Sequence, residues 1–150
     1  MKDEFGHVSI SLDRKLNKMY SFGRINPYNP FYGGFVHEHI YMGTFKRFHK
    51  TKAKILLLNI KDEQYEKLEQ IIKEMRKEKR KFKFNSIGLF GVYFKKKRKK
   101  ENYFYCAEFV KYITEKAGIN LKLPEFVRPD DFKKIKKTDT IYTGLLKEYC

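Results

Sequence analysis

The sequence predicts a single domain of the α+β class. Three observations carry this: an apolar–polar alternation near the N-terminus that turns back on itself, two amphipathic helical segments further along, and enough apolar material for one core. The chain has 150 residues, one domain's worth. Hydrophobic residues make up 41% and aromatics 17%, with Phe 14, Tyr 11 and Trp 0. Lys+Arg is 34 and Asp+Glu is 18, a formal net charge of +16, and the pI is near 9.7. Disordered basic chains are poor in aromatics, so a basic tail is excluded. With two cysteines, Cys106 and Cys150, a disulfide-stapled chain is excluded too, and no zinc-ligand spacing is present. The charge alone does not choose between a basic binding module and an enzyme.

The elements follow in chain order. His7 to Leu12 alternates apolar and polar, the period of a half-buried strand. Asp13 to Lys18 is polar and reads as a turn, and Met19 to Phe22 as the returning strand of a hairpin. The Asn-Pro pairs and Gly33-Gly34 make Gly23 to Gly34 a long loop, of a length that often forms a substrate wall. Val36 to Lys46 fits strand or loop equally. Ala53 to Ile60, with Ile55 to Leu58 at its centre, reads as a buried strand. Asp62 then serves as N-cap of a helix whose Tyr65, Leu68, Ile71, Ile72 and Met75 share one face, opposite Lys67, Glu74 and Lys77. That helix frays through Lys77 to Lys81 into an apolar stretch from Phe82 to Gly91. Lys95, Lys96, Lys97, Arg98, Lys99 and Lys100 form an exposed basic loop. A second helix puts Cys106, Phe109, Val110, Ile113 and Ala117 on one face and stops at Gly118. Arg128 to Phe132 is a turn or short helix, and Thr140 to Thr143 a last strand. Neither a repeat nor an interdomain linker breaks the chain.

One cysteine and one histidine stand where nucleophilic chemistry needs them. Cys106 lies just before or at the first turn of its helix, where unpaired N–H groups and the macrodipole favour a thiolate. A histidine that takes the thiol proton and later returns it to a leaving group completes the activation. His7, at the head of the first strand, is the best partner, since such a pair need only be adjacent in space. The plainer reading is a small core cysteine and a surface histidine.

Several strings carry a resemblance. His7-Val8-Ser9-Ile10, Met19-Tyr20-Ser21-Phe22-Gly23-Arg24, Asn29-Pro30 and Gly33-Gly34-Phe35-Val36 come first. Gln64-Tyr65, Phe84-Asn85-Ser86-Ile87-Gly88-Leu89 and Tyr105-Cys106-Ala107-Glu108-Phe109-Val110 follow. Together, from about Gly6 to Tyr142, they resemble the circularly permuted branch of the NlpC-type papain-like cysteine hydrolases. The YiiX-like and lecithin-retinol acyltransferase-like proteins belong to that branch. The order His first, Cys last marks the permutation. The resemblance implies an antiparallel sheet packed against the Cys-bearing helix, and a catalytic dyad of Cys106 and His7. It implies attack on an amide or ester carbonyl, an acyl-enzyme, then hydrolysis or transfer, with the Cys106 N–H as an oxyanion donor. The substrate would be a peptide, a cell-wall peptide or a lipid acyl group. The residue that orients the histidine maps onto Ser21, with Glu38 or another group as the alternative. Tyr20, Asn29, Gly33, Gly34 and Tyr105 would border the substrate. Relatives carry a further strand before the histidine strand; here only Met1 to Gly6 precede it, so that strand is expected to be missing.

Two other constellations compete. His37-Glu38-His39 with His49 has two histidines on one side of a strand, but nothing completes a metal-ligand set. From Lys73 to Lys100 there are 13 Lys/Arg and 2 Asp/Glu, interleaved with Phe82, Phe84, Phe90, Tyr93 and Phe94. That pattern suits nucleic acid or an anionic polymer or membrane surface, although no nucleic-acid fold signature accompanies it. A basic non-catalytic module is therefore the alternative to the enzyme. No cofactor is implied. The N-terminal residues lack an apolar signal core, and the longest apolar run, Ile87 to Phe94, is far short of the roughly 20 residues that span a bilayer. A soluble cytoplasmic protein is expected.

Overall fold

The computed structural model describes residues 4–24, 33–81 and 103–149, with backbone alone at 24, 33, 78–81 and 103–105. Within them the fold mixes helices with antiparallel sheets, the α+β class. Strands β1 (Ile10–Ser11), β2 (Met19–Arg24) and β3 (Gly33–Glu38) form one sheet in that order. A short helix α1 (Gly43–Arg47) leads to β4 (Lys52–Leu58). Helix α2 (Asp62–Lys81) and helix α3 (Tyr103–Lys116) follow. A 3-10 turn (Pro129–Lys134) precedes β5 (Thr138–Leu145), which pairs with β4 in a second, two-stranded sheet.

The hairpin is present, but its first strand pairs over two residues rather than six, Ile10 with Tyr20 and Ser11 with Met19. The Asp13 side chain closes the loop, accepting hydrogen bonds from the Lys18 and Asn17 N–H groups at 2.8 and 3.2 Å. The stretch from Gly33 to Glu38, expected as loop and then ambiguous chain, is strand. Gly33 pairs with Arg24, Gly34 with Gly23, and the register runs on to Glu38 opposite Met19. Glycines and an upstream Asn-Pro pair hid this strand, because its only large apolar residues are Phe35 and Val36. Tyr20, Phe22 and Phe35 alternate onto one face of this sheet and pack on α3, with the Phe22 and Phe35 rings 5.5 and 5.9 Å from that of Phe109.

Helix α3 follows its sequence pattern. Cys106, Phe109, Val110, Ile113 and Ala117 are all buried. Gly118, at φ +81, supplies the left-handed residue of a Schellman stop: its N–H reaches the Glu115 carbonyl at 3.0 Å and the Ile119 N–H reaches that of Thr114 at 2.9 Å. Helix α2 buries Leu68, Ile72 and Met75 against the same core. Asp62 is its first helical residue rather than its cap; the Lys61 N–H is satisfied by Gln64 Oε1 at 2.9 Å. Gln64 Nε2 also donates to the Gly118 carbonyl at 2.8 Å, which ties the start of α2 to the end of α3. A second cluster, Leu16, Met19, Ile40 and Leu146, lies with Phe45, Ala53 and Ile55 between the first sheet's other face and β4. Among the described residues no helix is long and apolar enough to cross a membrane. The basic loop Lys95 to Lys100 and the apolar stretch Phe82 to Gly91 lie outside the described residues.

Candidate functional site

Alternation across the first sheet builds the site. Residues of odd number on β2 and even number on β3 turn away from the aromatic core, so Ser21, Gly23 and Glu38 share the opposite face. Extending the β1 register backward from Ile10 and Tyr20 sets His7 across from Gly23. The contact is close: a Cβ on Gly23 would stand 3.3 Å from both His7 Cε1 and Ser21 Oγ, so a glycine there makes room for the ring. The segment ahead of His7 is held by Asp130, whose carboxylate accepts the Glu4 and Phe5 N–H groups at 2.8 Å each.

Glu38 is buried, and its Oε2 lies 3.0 Å from His7 Nε2. Its other oxygen accepts the Ser9 hydroxyl. Burial raises the Glu38 pKa, but the His7 charge and the hydrogen bonds outweigh it and hold the carboxyl below its ordinary range. Burial likewise lowers His7, and the Glu38 charge with hydrogen bonds to Cys106 and Glu38 overrides it, raising the imidazole to about 10. The His7 side chain keeps 35% of its surface exposed, whereas Cys106 has none. With Nε2 taken by Glu38, the other ring nitrogen is left for the sulfur.

The structure thus brings Cys106 and His7 together across 99 positions of sequence. Cys106 is the fourth residue of α3, at the end of its first turn. The side chain hydrogen-bonded to the His7 ring is Glu38 and not Ser21. Ser21 is fully buried, and its Oγ meets no partner at ordinary hydrogen-bond geometry; it acts on Glu38 as a nearby dipole that favours the ionised form. Its hydroxyl is simply outreached, because Glu38 spans the width of a strand to the ring. The sequence signal for Glu38 was the alternation Phe35-Val36-His37-Glu38, which sends the two histidine-flanked carboxylate oxygens to the side opposite His37.

Other expected site residues are placed differently. Tyr20 is buried in the core, its ring stacked on Phe35 at 5.7 Å and on His37 at 4.7 Å. Gly33 and Gly34 are strand residues, the first two of β3. Asn29 and the Tyr105 side chain lie outside the described residues. The His37 and His39 rings sit 4.4 Å apart, His39 lying just past the end of β3, and His37 Nε2 bonds the Asn17 carbonyl at 2.8 Å. Among the described residues no group of three metal-ligating side chains forms. A cavity of about 790 Å³ opens between β1 and the second sheet. His7 and Ser9 stand in its wall beside Ile10, Phe45, Ile55 and Phe132, a largely apolar lining of the size that small-molecule sites have.

Compared with known proteins, the chain matches no protein-family model, no curated protein and no solved structure.

Proposed function

We propose that the chain is a thiol-dependent hydrolase or acyltransferase of the permuted papain-like kind, with Cys106 as nucleophile and His7 as general acid and base. The observation that carries this reading is the His7 ring held between a buried cysteine in the first turn of a helix and a buried carboxylate. A structural cysteine has no need of such a pair. The Cys106 sulfur attacks an amide or ester carbonyl. The His7 imidazolium then gives its proton to the departing amine or alcohol, and a thioester remains on the sulfur. Water, or an acceptor hydroxyl or amine, loses a proton to His7 and attacks the thioester, which frees the acid or transferred product and regenerates the thiol. Glu38 touches neither substrate nor sulfur; it is a positioning residue that fixes the ring and favours its charged form. The apolar cavity beginning at His7 suits the acyl side of a substrate.

Labelling kinetics test the reading. Iodoacetamide alkylates Cys106 below neutral pH faster than it does Cys150, and His7→Ala removes the difference, about tenfold or more. Equal, slow labelling of both cysteines defeats the proposal, and so does fast labelling of Cys106 that survives loss of His7.

A further inference from the structure

The chain between β3 and β4 presents surface that neither the core nor the Cys106 site uses. Among the described residues the exposed large hydrophobics are Tyr41 at 61%, Met42 at 60%, Phe48 at 42% and Phe126 at 54%. The first three fall within eight consecutive residues around α1. Their presentation is fixed. The Tyr41 hydroxyl donates to the Lys147 carbonyl at 3.0 Å, so the polar end of the side chain is satisfied by protein and the ring is left outside. The Phe48 N–H bonds the Thr44 carbonyl at 2.9 Å, and the Thr51 N–H returns to the Phe48 carbonyl at 3.1 Å. Lys46, Arg47, Lys50 and Lys52 of the same segment are exposed, and no acidic residue occurs between Glu38 and Asp62.

We infer that residues 41–52 form a docking surface for an anionic lipid bilayer. Tyr41, Met42 and Phe48 enter the interface while the cations meet the headgroups, the division of labour of an interfacial anchor. Exposed apolar groups gathered in one segment mark an interaction surface, and the basic residues of that segment favour an anionic partner. A nucleic acid fits less well. Base stacking needs open aromatic faces, but the Arg47 guanidinium stands over the Phe48 ring at 5.1 Å and Met42 has no such face. The inward side of α1 carries Phe45, whose ring meets that of His7 edge-on at 6.3 Å. Docking therefore brings the His7 side of the molecule to the bilayer, although the surface itself does not depend on thiol chemistry.

Cosedimentation of the full chain with vesicles tests this. Phosphatidylcholine vesicles containing phosphatidylglycerol pellet the wild type, and pure phosphatidylcholine vesicles do not. Met42→Ser with Phe48→Ser leaves the charge unchanged and lowers the partition coefficient by about tenfold or more. Met42→Ser alone, which keeps the Arg47–Phe48 contact, gives a smaller, several-fold loss with an unchanged melting curve. The inference fails if the wild type ignores anionic vesicles, or if the double variant binds them like wild type while neutralising Lys95 to Lys100 abolishes binding. It also fails if the double variant loses affinity for polyuridylate and keeps its affinity for vesicles.

Discussion

Glu38 and Ser21 sit on the face of the first sheet that carries the imidazole, and only Glu38 bonds it. The difference is reach and charge. A carboxylate can stabilise an imidazolium, whereas a serine hydroxyl offers a dipole. Ser21→Ala therefore leaves Cys106 labelling within about threefold of wild type and stability within about 1 kcal/mol, because the hydroxyl it removes makes no ordinary hydrogen bond. Glu38→Gln keeps the shape and removes the charge, and labelling near pH 6 falls about tenfold. The pair also has a pH signature. His7 is raised from 6.5 to about 10, so its contribution to stability is complete below 6.5 and is lost as pH rises toward 10. Glu38 is lowered from 4.5, so its contribution is present above 4.5 and is lost as pH falls through its lower folded value. The stability gap between wild type and Glu38→Gln in thermal melts is thus widest near pH 5–6 and narrows toward pH 10. A gap that widens with alkali would contradict the pairing.

At the scale of elements, what could be read in the sequence depended on whether burial or hydrogen bonding held the element. Helix α3 was legible to its last turn, because its 3.6-residue apolar stripe and Gly118 act locally. Strand β4 was legible for its apolar run Ile55 to Leu58, and β5 only in its middle, Thr140 to Thr143, out of eight residues. Strand β3 was not: its pairing with β2 is a non-local hydrogen-bonded register, and its glycines carry no side chain to announce a face. That loss left Glu38 as no more than an alternative to Ser21, while Cys106 and His7 stayed visible because their chemistry is read from residue type and helix position. The clamp at the N-terminus was equally hidden, since it joins Asp130 of the 3-10 turn to Glu4 and Phe5 across more than 120 positions. The clamp holds the backbone two residues ahead of His7. Asp130→Ala accordingly speeds hydrogen exchange at the Phe5 amide about tenfold or more, leaves exchange within α3 unchanged, and slows Cys106 labelling. If exchange rises throughout α3 as well, the turn supports the core rather than the histidine.

The net charge of +16 looks different over the whole molecule than as a composition value. Three long stretches contain no acid at all, 14–37, 39–61 and 79–100, and they hold 4, 6 and 10 Lys/Arg. The remaining 14 Lys/Arg stand among the 18 Asp/Glu. Elsewhere acids find close cations, as in Lys133 with Glu4 at 2.8 Å and Lys134 with Asp131 at 3.8 Å. The excess charge is therefore concentrated along these stretches of sequence, whereas the 3.0 Å pair of His7 and Glu38 is a contact between opposite charges. Repulsion among exposed cations acts over distances that salt controls, with a Debye length of about 30 Å at 0.01 M and about 8 Å at 0.15 M. A buried contact pair is shorter than either length. Raising sodium chloride from about 0.01 to 0.15 M should lift the melting temperature by a few degrees, and by the same amount in wild type and His7→Ala. A melting temperature that falls with salt would mean that attractive pairs dominate the surface. An increment much larger in His7→Ala would mean that the site is open enough for salt to screen, and the buried placement of Glu38 would then be wrong.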